Sequence, residues 1–203
     1  GQTINRLRHT YAADVLVVET AYPFTTENAD ASPNLLGEDS LIAGYPATAD
    51  GQRRYLVDLT QLVLSSGGTG VFYWEPAWVS TKTCGTRWGK GSNWENAAVF
   101  DFKGQTLGSA EGWLKHAYVR PVEVTFKAKA TTEAAFIDGD FLDGVGPRPM
   151  TREGEAFIYR TRLAPGSPVT VAAAATAAAV AEAPAVTALI GDRAATVPLP
   201  EQP

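Results

Sequence analysis

Two carboxylates and a group of large aromatics carry the chemistry that this sequence offers. Glu19 closes an apolar run in VVETAYPF (17–24), and Glu75 follows GVFYW at 70–74. Near them in the chain lie Tyr22, Tyr73, Trp74, Trp78, Trp88 and Trp94. Sugars bind proteins through hydrogen bonds to their hydroxyls and through C–H faces laid on aromatic rings. Cleaving a glycosidic bond takes two carboxyl groups, one protonating the leaving oxygen and one acting as nucleophile or base. Acids at run ends among tryptophans therefore point to carbohydrate. The same residues suit a structural ion pair at Glu19 and tryptophans that pin down long loops, and the pattern alone leaves both open. Cys84 has no histidine near it in sequence to activate it and reads as a loop or core thiol. His9 and His116 fall in helical patterns and read as surface or packing residues.

The elements that must position these groups alternate. Residues 5–12 have helical character, and 14–18 read as a strand buried on both faces, as in a parallel sheet. A long polar stretch follows at 25–49. Residues 51–66 form an amphipathic helix, with Tyr55, Leu56, Leu59, Leu62 and Val63 on one face and Gly67-Gly68 as its stop. A second buried strand at 70–74 leads into a loop over 76–96, rich in Trp and Gly. A short apolar segment at 97–102 and a helix at 106–118 close the series. This order is βα repetition with parallel strands, and both long loops follow strand C-termini, the end at which such folds place their chemistry. Two strands cannot close a barrel and make a marginal open sheet.

The texture changes at Pro121. VEVTFKA (122–128) alternates at period two, and 134–138 and 156–162 read as further strands between turn-rich segments. The alanine-rich 172–183 is assigned to strand, and 198–203 to a disordered tail. The 203 residues, 45% of them hydrophobic, can bury a core. A net charge of −5 and a pI near 5.1 give no basic surplus for a phosphate backbone, so nucleic acid is not an expected partner. A single cysteine excludes an internal disulfide. The alanine tract is too short and too weakly apolar to span a bilayer, and no signal-peptide pattern appears at Gly1.

Taken in order, VVETAYPF, GYP…GQ, GVFYWEPAWV and GSNWENAAVFDFKG resemble glycoside hydrolase family 53, the endo-β-1,4-galactanases, from about Leu7 to about His116. The resemblance implies a retaining (β/α)8 barrel, with the acid/base at the end of strand four and the nucleophile at the end of strand seven. Glu19 matches the nucleophile. Trp74 matches the strand-eight tryptophan that floors the subsite of the attacked sugar. Tyr22, Glu75, Trp78 and Trp94 are expected to contact substrate or to organise the loops. A nucleophile must be held to within about half an ångström, which a buried strand end does better than a loop. Its partner acid would lie about 5–5.5 Å away, its pKa raised by the ionised neighbour.

The Asn-Glu pair that bears the family's acid/base is absent, as are strands one to six. The expected fold is α/β: the C-terminal portion of a TIM barrel (strands 7 and 8 with flanking helices) over 1–119, a small antiparallel β-sandwich over 120–198, and a disordered 199–203. Residues 27, 28, 30 and 34 (Glu27, Asn28, Asp30, Asn34) offer oxygen ligands, as calcium requires, but not the dense Asp-x-Asp spacing of calcium-binding relatives. No cofactor is expected, with calcium as the one possibility. VEVTFKA, FIDGDF and MTREGEAFIYRTRLAPG resemble immunoglobulin-like or starch-binding-like modules appended to secreted glycosidases. The tail has no tryptophan, and its phenylalanines read as core, which favours a spacer over a sugar-binding module. Two functions follow: a secreted or periplasmic galactanase whose chain, as given, lacks its proton donor and is inactive alone, or a non-catalytic carbohydrate-binding accessory protein. The expected partner is β-1,4-galactan. The exposed apolar edge of half a barrel calls for the missing barrel half or self-association.

Overall fold

The helix expected at 5–12 forms over Gln2–Tyr11 (α1) and ends at Ala12 in the left-handed conformation (φ 50°) in the computed structural model, which describes residues 1–81, 85–86 and 89–201, with backbone only at 85–86 and 89–90. Cys84 and Trp88 lie outside the described residues. The chain divides into two compact units. One comprises Gly1–Leu16, Leu62–Gly70 and Val119–Pro203, and the other Val17–Gln61 and Val71–Tyr118. The expected boundary near 120 thus meets a unit that also takes in the N-terminal helix and the end of the second.

The two apolar runs pair as β1 (Leu16–Val17) and β2 (Gly70–Val71). Backbone bonds from Thr69 to Val15 (2.9 Å), Phe72 to Val17 (2.8 Å) and Trp74 to Thr20 (2.8 Å) climb both segments together, so the pair is parallel. The expectation of burial on both faces does not hold. Leu16, Val18, Phe72 and Trp74 are 42, 64, 59 and 38% exposed. No third strand pairs with β1 or β2 among the described residues, and Leu16, Val18, Phe72 and Trp74 alternate along their segments as exposed positions.

Helix α2 spans Ala49–Ser65. Leu56 and Val63 on its apolar face are buried, whereas Leu62 is half exposed. It stops as its sequence demands: Gly67 takes φ 78°, and the Gly67 and Gly68 N–H groups bond to Leu64 and Val63 carbonyls. A short hairpin, β3 (Gly85–Thr86) with β4 (Gly89–Lys90), lies in the loop after β2. The last helix of this series, α3, is only Ser109–Leu114, shorter than expected, because Gly108 and Gly112 weaken both its start and its middle. His116 consequently lies beyond the helix.

Residues 122–198 form two four-stranded sheets. In the first, the order is β11 (Ala185–Leu189), β10 (Pro168–Ala174), β6 (Phe136–Gly139) and β7 (Arg148–Pro149). In the second it is β12 (Ala195–Pro198), β5 (Val122–Lys129), β9 (Ala156–Leu163) and β8 (Thr151–Glu153). Alternation along β5 sends Val124, Phe126 and Ala128 into a core shared with Ile137, Phe141, Val171 and Phe157, while Glu123 and Lys127 face out. Three sequence expectations change here. β12 runs parallel to β5, so the sheets are not wholly antiparallel. The alanine tract is strand only to Ala174 and then turns into a short 3-10 segment at Val180–Glu182, since alanine lacks the branched side chain that favours a strand. The segment assigned to a disordered tail begins with Pro198 in β12, and the next residue, Leu199, is 6% exposed with its N–H bonded to the Lys127 carbonyl.

Helix α1 is fastened to these sheets within the same unit. Asn5 Nδ2 donates to the Phe141 carbonyl (2.8 Å) and to Asp143 (2.6 Å), and Arg8 donates to Thr161 (3.0 Å). His9 is buried with Nδ1 2.7 Å from the Tyr159 hydroxyl and its ring edge-on to Phe141.

Candidate active site

The register set by the Phe72–Val17 and Trp74–Thr20 bonds brings Glu19 and Trp74 to the same end of their segments. There they line a cleft of about 310 Å³ with Thr20, Ala21, Leu36 and Trp94. The volume is at the low end of ordinary small-ligand sites, about 300–1,000 Å³. The Trp74 and Trp94 rings stand nearly at right angles, 72° with centroids 6.4 Å apart, so the cleft presents a flat apolar face beside an aromatic edge. Glu19 is exposed, and no hydrogen bond or ion pair to the described residues restrains its carboxylate. A free carboxylate beside a flat indole suits attack on, or hydrogen bonding to, a sugar ring laid on that indole.

The loops that follow the two strands are lashed together by backbone-directed bonds. Asn96 Nδ2 donates to the Thr25 (2.9 Å) and Leu36 (2.7 Å) carbonyls, which sets Leu36 in the cleft wall. Asn93 donates to the Pro33 carbonyl, and the Leu35 N–H returns a bond to Asn93. Asp30 accepts the N–H groups of Ser32 (2.6 Å) and Ser92 (2.8 Å). Burial alone would raise the Asp30 pKa, but the hydroxyl of Ser80 and these two N–H groups hold it below its usual value. Glu95, fully buried, accepts the Ala29 N–H at 2.6 Å, and burial pushes its pKa up. Gly91 takes φ 93° and leaves no room for a Cβ, which would stand 2.6 Å from an Asp30 oxygen.

A model of glycosyl hydrolase family 53 matches residues 1–111, more than half of the chain. The chain belongs to glycosyl hydrolase family 53. It is 57% identical over 98 residues to an arabinogalactan endo-beta-1,4-galactanase of Cellvibrio japonicus, a match covering 48% of this chain and 26% of the relative. It is 31% identical over 139 residues to an endo-beta-1,4-galactanase of Bacillus subtilis, covering 53% and 32%. Among solved structures it is similar to a family 53 catalytic domain of Ignisphaera aggregans, at 33% identity and a TM-score of 0.49, over 55% of this chain and 33% of that one. The chain spans about a quarter to a third of the length of these curated relatives.

Of the six candidate residues in this family 53 segment, Glu19, Trp74 and Trp94 meet in the cleft. Tyr22 does not line it. Tyr22 is 2% exposed, stacks on Tyr55 at 4.3 Å, donates its hydroxyl hydrogen to the Tyr45 carbonyl and accepts the Ile42 N–H. Glu75 and Trp78 also lie outside the lining. Glu75 takes a left-handed φ of 49°, its carbonyl faces the Trp78 N–H at 3.4 Å, and the Trp78 carbonyl accepts the Ser92 hydroxyl, so both shape the loop. Sequence reasoning missed Leu36, Gln52, Glu95 and Asn96. Asn and Glu in a tryptophan-rich loop carry no signal of burial until the partner loop is folded against them.

The oxygen ligands expected for calcium, Glu27, Asn28, Asp30 and Asn34, lie in the loop after β1. No group of three or more His, Cys, Asp or Glu that could hold a metal occurs among the described residues. Both Asp30 oxygens already face N–H donors, and Asn34 donates to the Glu27 carbonyl. Both Asp30 oxygens are thus turned to hydrogens of the two loops, while Asn34 Oδ1, Glu95 Oε2 and Asn96 Oδ1 are buried without a hydrogen-bond partner among the described residues.

Proposed function

We propose that the protein containing this segment is an endo-acting retaining glycoside hydrolase that cleaves β-1,4-galactosidic bonds in galactan and arabinogalactan, with Glu19 as nucleophile. The observation that carries this reading is an unrestrained carboxylate in a cleft walled by two crossed tryptophans, in a family 53 segment. The names of the relatives from C. japonicus and B. subtilis support the linkage. In the proposed course, a galactosyl ring stacks on Trp74, and Glu19 attacks its anomeric carbon while a second carboxylic acid protonates the departing oxygen. Water then releases the glycosyl-enzyme, with that second residue acting as base. Glu19 is the only acid lining the cleft among the described residues, which supports a proton donor supplied from elsewhere in the protein. The tail sheets act as a structural spacer, since Phe126, Phe141 and Phe157 are buried. A polymeric substrate supports a secreted or periplasmic location.

The missing second acid favours one rival reading, a non-catalytic galactan-binding protein. Potato galactan incubated with the purified 203-residue chain is expected to release no reducing ends. A reading frame upstream of Gly1 that encodes six βα units and an Asn-Glu on the fourth strand supports the hydrolase. Hydrolysis by the chain alone sinks the expectation of inactivity. An upstream frame without that pair, together with measurable galactotetraose binding, selects the accessory protein.

A further inference from the structure

Glu19 and Trp74 both lie past the ends of β1 and β2, where the bond from the Trp74 N–H to the Thr20 carbonyl (2.8 Å) links the two segments. One buried amide fixes these two ends. Gln52 on α2 is 0% exposed. Its Nε2 stands 2.8 Å from the Tyr22 carbonyl, 3.1 Å from each of the Ala97 and Ala98 carbonyls and 3.2 Å from the Tyr73 hydroxyl. Its Oε1 accepts the Ser109 hydroxyl at 2.5 Å. The Tyr73 hydroxyl completes the knot, accepting the Tyr22 N–H at 3.0 Å and facing the Ala97 carbonyl at 2.6 Å.

We propose that Gln52, acting through Tyr22 and Tyr73, is the positioning residue that sets Glu19 and Trp74 at the geometry the cleft needs. The proposal rests on the galactanase reading for its substrate alone. Tyr22 is three residues beyond Glu19, and Tyr73 is the immediate neighbour of Trp74. A shift of either anchor passes along the chain to a carboxylate and a ring that tolerate about half an ångström. The surroundings favour a neutral donor: two amide hydrogens face three carbonyls and a hydroxyl, and an ionised side chain would keep the Ser109 hydroxyl as donor but turn an oxygen onto the three carbonyls. Asparagine is one methylene too short to reach all four segments, and an apolar residue leaves the carbonyls unpaired.

The test uses the 203-residue chain and two variants, Gln52→Glu and Tyr73→Phe, followed by the indole ¹⁵N–H signal of Trp74 and the carboxyl ¹³C signal of Glu19 without sugar, then by titration with galactotetraose. At pH 5 a buried glutamic acid is neutral and still donates one hydrogen, so Gln52→Glu stays closer to the unsubstituted chain than it does at pH 9. At pH 9 its carboxylate opposes the carbonyls. Both signals then broaden, and affinity falls about tenfold or more relative to the unsubstituted chain at the same pH. Signals of β5 and β9 stay in place. Tyr73→Phe broadens the two signals at both pH values. The proposal is overturned if Gln52→Glu behaves alike at pH 5 and 9, or if the Glu19 and Trp74 signals move no more than those of every residue between 17 and 61, which makes Gln52 an ordinary core amide. If Gln52→Glu does not fold at either pH, unmoved signals in Tyr73→Phe overturn it. An unsubstituted chain that does not respond to galactotetraose sinks the galactanase reading, while the sugar-free spectra still decide the role of Gln52.

Discussion

A tyrosine and a tryptophan that sequence treated alike have opposite fates in this cleft. Trp74 leaves 38% of its surface open, and Tyr22 leaves 2%. Replacing Trp74 with alanine is expected to weaken galactotetraose binding about tenfold, the loss of one aromatic stacking partner, with little change in stability. Isothermal titration calorimetry beside urea unfolding reads both effects. Tyr22→Phe is expected to do the reverse. It strips the partner from the Tyr45 carbonyl and the Ile42 N–H, costing about 1–3 kcal/mol of stability, and leaves the cleft lining chemically unchanged. A Tyr22→Phe chain of undiminished stability whose sugar binding collapses would show that the ring touches substrate after all.

At the level of elements, the loops after β1 and β2 act as one clasp made of carboxylates facing N–H groups. Asp30 and Glu95 respond oppositely to pH. The Asp30 pKa is lowered in the folded state, so its contribution is present above the unfolded value and is lost as pH falls through the folded one. The Glu95 pKa is raised by burial, so its contribution is present below the unfolded value and is lost as pH rises through the folded one. Glu95→Gln keeps an acceptor for the Ala29 N–H and removes that titration. The variant is expected to be more stable than the parent at pH 8 and little different at pH 4, read from thermal unfolding at both. Because both Asp30 oxygens accept N–H hydrogens, millimolar calcium or EDTA is expected to leave the melting temperature unchanged. A calcium-dependent rise would reassign Asp30 to a metal.

Taken as a whole, the molecule joins its N-terminal helix to its C-terminal sheets through a buried imidazole. Burial drives the His9 pKa down to about 4, with the charges of Arg8 and Arg148 adding to the effect against Asp143. A histidine held neutral in the fold and protonated when unfolded stabilises fully above its ordinary value near 6.5. That contribution is lost as pH falls towards the folded value. The unit built from residues 1–16, 62–70 and 119–203 is therefore expected to lose about 2 kcal/mol between pH 7 and pH 4. His9→Leu should flatten this dependence while lowering stability at pH 7, since the Tyr159 hydroxyl loses its partner. Denaturant titrations at a series of pH values measure both, and an unchanged slope in His9→Leu would place the titration elsewhere.

Period and punctuation made much of this chain legible from its residues alone. The alternation in β5, the glycine stop after α2 and the acid that follows β1 are local facts, written within a few positions of one another, and family 53 motifs add Glu19 and Trp74. Burial could not be read this way. Whether Tyr22 faces sugar or core, whether Leu16 and Val18 are covered, and whether Gln52, Glu95 and Asn96 are buried depends on segments 20 to 70 positions away. Only the closed fold brings those segments within hydrogen-bond reach, so only the tertiary structure could tell a residue that meets the cleft from one that holds its walls.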